Sequence, residues 1–404
     1  MAKNFTWERG PFEQCPSCNK KTFGFLSAGG EVMTLRCTDC RYSHSEVLPK
    51  IDKATIYLDQ FMFSSIFKIK AGGQAPLGQH EFYAEVIPLL RRLVLLQQAI
   101  LPHSDLHSHE TIVFSEARAL REAYEDIGGD GRLKGNRDVE MSQVFAYAKA
   151  YRDGTEPELL LEPDTVLENE RNAWLRDMRI SANPDYAQFA DGIRREREAG
   201  FASMKRLVDG WADSRPSFHQ QLRSELQFGK HRRTGLAHLM AQMVAAQNDG
   251  DWDTYLNLSM QHQWREYRGL REFIGGDGSE DDKMRRVIEF WDWPRNNEMP
   301  FTRIFAHLFA AFSRRVVGGQ RKFTRGFMTD VQAIAAYAPY VDAMFVDKEC
   351  AALLDEEPLR SRLLYRARIF SYANGDAFLD YLRELEQRAD DEVRYYAERI
   401  YGVR

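Results

Sequence analysis

Two cysteine pairs constrain this chain more than any other feature. Cys15-Pro-Ser-Cys18 and Cys37-Thr-Asp-Cys40 are separated by eighteen residues, within the ~15–20 residue spacing of a four-cysteine zinc site. A tetrahedral ion takes one pair on each side, so the chain between the pairs must turn back as a small hairpin. Thr22–Leu26 and Val32–Arg36 have the composition of its strands, and Ala28-Gly29-Gly30 joins them. A redox dithiol needs one such pair; two at this separation favour metal. Four thiolates complete the shell, which leaves His44 as a surface residue. So short a module cannot bury a sufficient core. Zinc is therefore expected to be structural over residues 1–50 and to supply most of their folding energy.

The rest of the chain has the composition of a soluble globular protein: of 404 residues, 44% are hydrophobic and 28% charged. That length allows roughly two to three domains. A net charge of -5 argues against binding polyanions through global charge and leaves local basic patches for that purpose. No apolar run reaches the ~18 residues of a membrane span, and the start MAKNFTWERG lacks a signal h-region. A cytoplasmic protein is expected, in which Cys350, the fifth cysteine, packs rather than reacts.

After Pro49, Ala54–Leu58 reads as a buried strand that delivers Asp59 at its carboxyl end and leads into a helix at Phe61–Lys70, a βα unit. His80–Gln98 is helical, with a break or kink at Pro88. In Pro102–Glu110 the histidines 103, 107 and 109 do not all share a helix face, so a histidine metal site is not expected. Ser104 or Ser108 caps a helix that carries Glu110 and runs through Glu116 to Ile127. Residues 131–322 are mostly helical and charged, a large insertion. Its acidic clusters Asp249–Asp253 and Glu280–Asp282 are assigned to solvent. The first fails the calcium-loop pattern, because Thr254 and Met260 stand where glycine and glutamate belong.

The stretch Asp330–Cys350, DVQAIAAYAPYVDAMFVDKEC, is the expected working centre. Asp330 occupies an N-cap position before a helix at Val331–Tyr337, and Pro339 stops that helix. Val341–Val346 reads as an apolar strand interrupted by Asp342, with Asp347 at its tip. Just ahead lies a basic stretch, Arg314, Arg315, Arg321, Lys322 and Arg325 around Gly318-Gly319, suited to holding phosphates or, equally, to a solvated loop. Behind it, Arg366–Ser371 is a last strand and Phe378–Tyr401 a helix. Asp59, Glu110, Asp330 and Asp347 all lie near element ends. Carboxylates converging at the carboxyl edge of an α/β sheet suit magnesium or manganese, with positions left for water, and phosphodiester hydrolysis is the chemistry that follows.

These residues resemble a PIN-domain nuclease, and the cysteine module resembles a zinc ribbon. The pieces that carry the first resemblance are IYLDQ at Asp59, LPHSDLHSHE ending at Glu110, and the Asp330–Cys350 stretch. They cover residues 54–127 and 323–385. The resemblance implies an α/β, three-layer PIN-like domain with a central parallel sheet, split into 51–130 and 323–404 by the helical insertion 131–322. It implies that Asp59, Glu110, Asp330 and Asp347 bind magnesium or manganese and carry catalysis, with Asp342 an accessory acid and Glu116 the alternative to Glu110. The expected activity is a metal-dependent endoribonuclease acting on single-stranded or structured RNA, with Arg314, Arg315, Arg321, Lys322 and Arg325 placing phosphates. The alternatives are a structure-specific DNA nuclease and a non-catalytic scaffold that binds nucleic acid or protein.

Overall fold

A computed structural model of the chain describes residues 8–112, 117–129, 131–176, 187–321 and 323–403. It contains two four-stranded sheets and is otherwise mostly helical. The first sheet is antiparallel in the order β1 (Arg9–Gln14), β2 (Lys21–Gly29), β3 (Val32–Cys37), β4 (Ser43–Val47). Phe23, Phe25, Met33 and Leu35 alternate inward along β2 and β3, which is why the sequence shows these two strands. β1 and β4 are largely exposed and carry no such alternation. Gly30, at a φ of 66°, turns β2 into β3. The module is docked rather than loose. Its core continues into Leu96, Trp174 and the helix Asp391–Tyr401 through Val393, Ala397 and Ile400.

The second sheet is parallel throughout, in the order β6 (Ala99–Ile100), β5 (Ala54–Leu58), β7 (Ala343–Phe345), β8 (Arg368–Phe370). All five residues of β5 and all three of β7 are buried, as strands covered on both faces must be. Alternate side chains point to different layers. Ile56, Leu58, Ala343 and Phe345 pack under the helices Gln60–Lys70, His80–Leu95 and Gly375–Gln387. Tyr57 and Met344 pack under the helices Pro300–Val317, Phe327–Tyr337 and Lys348–Asp355. The architecture is thus mixed α/β, with helices on both faces of the parallel sheet. No described helix is long and apolar enough to cross a membrane.

The segment 131–322 divides between two cores. Val139 and Phe301–Phe312 belong to the core under the parallel sheet. Val144, Tyr147, Phe228, Leu270, Phe290 and Trp291 form a separate helical core. The helix Asn136–Asp153 serves both with opposite faces, since Val139 and Val144 lie in different clusters. Several boundaries differ from the sequence reading. The helix that carries Asp330 begins at Phe327, because Phe327 stacks on Phe312 at 3.9 Å between ring centroids and is pulled into the core. Asp330 therefore lies in the first turn rather than at the cap. Helix His80–Leu95 runs through Pro88 and stops before Gln97, whose φ of 58° starts the turn into β6. The C-terminal helix is two, Gly375–Gln387 and Asp391–Tyr401, the second capped by Asp390.

Candidate functional site

The four cysteines of the first module converge. Cys15 and Cys40 have their sulfurs 3.6 Å apart, and Cys18 and Cys37 3.7 Å; all four lie within 4.8 Å of one another. Tetrahedral zinc at ~2.3 Å from each sulfur requires an edge of about 3.8 Å, so the four thiols fit the ion. They are too far apart for disulfides, which need ~2.05 Å. Each pair is followed by a residue in the left-handed region, Asn19 at a φ of 59° and Arg41 at 63°, which folds the knuckle round the metal position. Ser17 donates its N–H to the Cys15 sulfur and Cys40 its N–H to Cys37, both at 3.4 Å. Burial opposes ionisation of Cys37, but hydrogen bonds from Thr22 and the N–H groups of Cys40 and Asp39 outweigh it and bring its pKa down to about 6. His44 is exposed on β4, outside the four-cysteine group.

The second cluster lies at the carboxyl edge of the parallel sheet. The chain passes from β5 to β6 on one side and returns to β7 on the other, so the gap between β5 and β7 is a topological switch point, the crevice where α/β sheets hold ligands. Asp59 leaves β5 there and caps the helix Gln60–Lys70, one oxygen accepting from the Gln60 N–H at 2.6 Å. Asp347 follows β7 and caps the helix Lys348–Asp355, one oxygen accepting from the Cys350 N–H at 2.6 Å. In each case the second oxygen has no hydrogen bond among the described residues and remains for a ligand. Asp330 joins from the helix above and Glu110 from the helix Asp105–Ile112.

Asp330, Asp347 and Cys350 bring their ligand atoms within 4.8 Å of one another. Asp59 and Glu110 stand outside that tight group but inside its field. Burial, and then the charges of Asp59, Asp347 and Glu110, push the Asp330 pKa up to about 9. Burial, then Glu110 and Asp347, push Asp59 up to about 7. Glu110 is also raised by burial, partly offset by Arg197, which pairs with it at 3.5 Å. As charges, Asp330 and Asp347, with oxygens within 4.8 Å, would repel by roughly 3–4 kcal/mol at an effective dielectric of about 20. Asp330 and Asp59 are therefore held toward their protonated forms unless a cation neutralises them. Asp330, Asp347 and the Cys350 thiol are the donors close enough to share one ion.

Asp342 is not part of this group. It precedes β7, at the opposite edge of the sheet, and its carboxylate accepts from the Thr55 N–H at 2.8 Å and pairs with Arg366 at 2.7 Å. Those bonds tie β5, β7 and β8 together at their amino ends. The basic stretch is likewise drawn into separate pairs. Arg314 (2.7 Å) and Arg315 both meet Glu356, and Arg325 meets Glu198 at 3.0 Å. Arg321 turns inward. Its side chain is 5% exposed, lies over the rings of Phe312 and Phe327, pairs with Glu349, and faces Asp347 and Asp330. Its Nε and Nη1 are buried without a hydrogen-bond partner among the described residues. Glu116 and Lys322 lie outside the described residues.

Two participants escape the sequence reading. Cys350 sits three residues after Asp347, and only the helix started by Asp347 swings its thiol toward the acids; burial and then Asp347 and Asp330 raise its pKa, keeping it a neutral thiol. Arg197 lies in a charge-rich helix, Ala187–Ser214, that resembles any solvated one. The histidines are structural neighbours. His107 is buried against Tyr57, and its Nδ1 accepts from the Ser104 N–H at 3.0 Å. Comparison with known proteins gives no match: no family model, no curated sequence and no solved structure resembles this chain closely enough to count.

Proposed function

We propose that the acid cluster binds magnesium or manganese and hydrolyses phosphodiester bonds in RNA, within a PIN-like domain that carries a zinc ribbon. The observation that carries this reading is the meeting of Asp330 and Asp347 at the switch point of a parallel sheet, with Asp59 and Glu110 near enough to act on them electrostatically. On this reading Asp330 and Asp347, whose oxygens come within reach of one ion, hold the cation, and Asp59 and Glu110 join from the surrounding field. A divalent ion bound there supplies Lewis acidity and lowers the pKa of a water molecule. The chain's own residues do the rest. Asp59 and Asp347, fixed as helix caps, keep their free oxygens aimed into the crevice at little cost on binding. Glu110, its proton affinity raised by burial, is suited to accept a proton from water or to return one to the leaving oxygen. Arg321, with two buried unpartnered nitrogens beside the acids, is the cation best placed to meet a phosphate.

Asp59→Asn is expected to abolish manganese-dependent cleavage of single-stranded RNA while leaving the circular dichroism spectrum unchanged. Undiminished cleavage by that variant would remove the assignment. Flap DNA assayed beside the RNA separates the ribonuclease from a structure-specific DNA nuclease. A non-catalytic scaffold is the alternative reading, and it predicts no manganese-dependent cleavage by the wild type.

A further inference from the structure

Next to the acids lies a cavity of about 620 Å³ between the helix Ala187–Ser214 and the turn that leads to Asp330. Arg194, Arg197, Phe201, Phe323, Arg325 and Met328 line it. Its apolar floor is a stack: Phe201 and Phe323 lie with centroids 5.3 Å apart and planes 11° from parallel. The Arg325 guanidinium covers Phe201 at 5.2 Å. Its lining carries three arginines, each paired with an acid: Arg194 with Asp191, Arg197 with Glu110 and Arg325 with Glu198. The Arg194 and Arg325 pairs are solvent-exposed and weak, so an incoming phosphate can displace their carboxylates. It touches the acid site at two points. Met328 and Thr329 directly precede Asp330 in the same helix, and Arg197 pairs with Glu110.

Resting on the hydrolytic reading of the acids, we propose that this cavity is a nucleobase subsite: a base of a single strand, next to the bond being cut, stacks on Phe201 and Phe323 while the arginines take its flanking phosphates. A planar, uncharged ring with an anion on each side is what an aromatic floor under an arginine rim accepts. Arg325 is two-thirds exposed, and its contacts with Phe201 and Glu198 are surface contacts of small value. A base can displace it from the ring and free it for phosphate. A duplex cannot enter, because its bases are already stacked and paired, so the subsite makes cleavage depend on unpaired nucleotides. The pocket wall comes from the inserted helix, which thereby acquires a role in substrate selection.

The test is binding with no divalent cation added, so that no cleavage occurs. Wild type, Phe201→Ala and Phe201→Leu are titrated by fluorescence anisotropy against a short single-stranded RNA and against the same strand made abasic. Both variants are expected to weaken binding of the base-bearing strand by roughly five- to a hundredfold and to leave the abasic strand unaffected. Leucine keeps the apolar volume without the ring face, so a loss in Phe201→Leu at an unchanged melting temperature is a loss of stacking. Unaltered binding by both variants, or equal losses on the two strands, overturns the subsite. Wild type is assayed for manganese-dependent cleavage in parallel. Base-dependent binding without cleavage supports the subsite and retires the hydrolytic reading, whereas cleavage without base-dependent binding does the reverse.

Discussion

Asp330→Asn separates the cost of the acid cluster from its use. In the folded chain the Asp330 pKa is pushed up to about 9, by burial first and by Asp59, Asp347 and Glu110 after it. In the unfolded chain the same carboxyl ionises near ~3.9. Between those values the folded state binds one proton more than the unfolded state, so stability falls as pH rises, by about 1.4 kcal/mol per pH unit for one such proton. From about pH 5 to about pH 7 the loss is roughly 2.7 kcal/mol, or ~5 °C at ~2 °C per kcal/mol for a chain of this size. Asparagine has no proton to release. With no cation added, the variant therefore loses this slope and melts above the wild type at about pH 8. A divalent cation inverts the comparison, since it takes the ionised carboxylates. Manganese should raise the wild-type melting temperature more at about pH 8 than at about pH 5, and the variant's hardly at all. Thermal melts followed by circular dichroism, with and without excess manganese at both pH values, decide the matter. Parallel pH slopes for variant and wild type, or equal manganese shifts, refute the reasoning.

Further outcomes follow from the same structure. Cys37→Ser should remove one zinc per chain, measured by elemental analysis, and unfold the first module without lowering manganese affinity, because the two clusters share no ligand. Trp174→Ala should cost about 3–5 kcal/mol, since Trp174 is buried between the module and the C-terminal helix and donates its Nε1 to Pro49 at 2.9 Å; the loss is read in denaturant melts and in faster proteolysis after Pro49. Asp342→Asn should destabilise by about 1–3 kcal/mol through its lost pairing with Arg366 and still show the full manganese shift. A lost shift in that variant would restore Asp342 to the site.

How far the sequence reaches depends on how local the cause is. Asp59 was legible as a strand tip because a run of apolar residues ending in an acid before a helix defines one, and the strand is where that pattern puts it; that Asp59 also caps the helix is seen only in the structure. Asp347 was legible for the same reason. Asp342 misled because a single acid in an apolar run looks the same at either edge of a sheet, and only the parallel pairing of β5, β7 and β8 shows that it faces the amino edge. β6 has two residues, too few for any periodicity. The arginines of 314–325 formed a basic run on paper, but their partners, Glu356, Glu349 and Glu198, come from helices that no local pattern connects to them.

By itself, the sequence determined the cysteine module, since four thiols at a spacing that suits one tetrahedral ion leave the chain between them little choice. It also determined the βα unit that places Asp59. Tertiary structure alone decided that Asp330 and Asp347 meet with Cys350, that Asp59, Glu110 and Arg321 lie within their field, and that the helix Ala187–Ser214 brings Arg197 to Glu110. The physical reason is that convergence across long stretches of chain is set by how parallel strands and their covering helices pack to bury apolar faces, and that packing leaves no mark on the spacing of the acids it brings together.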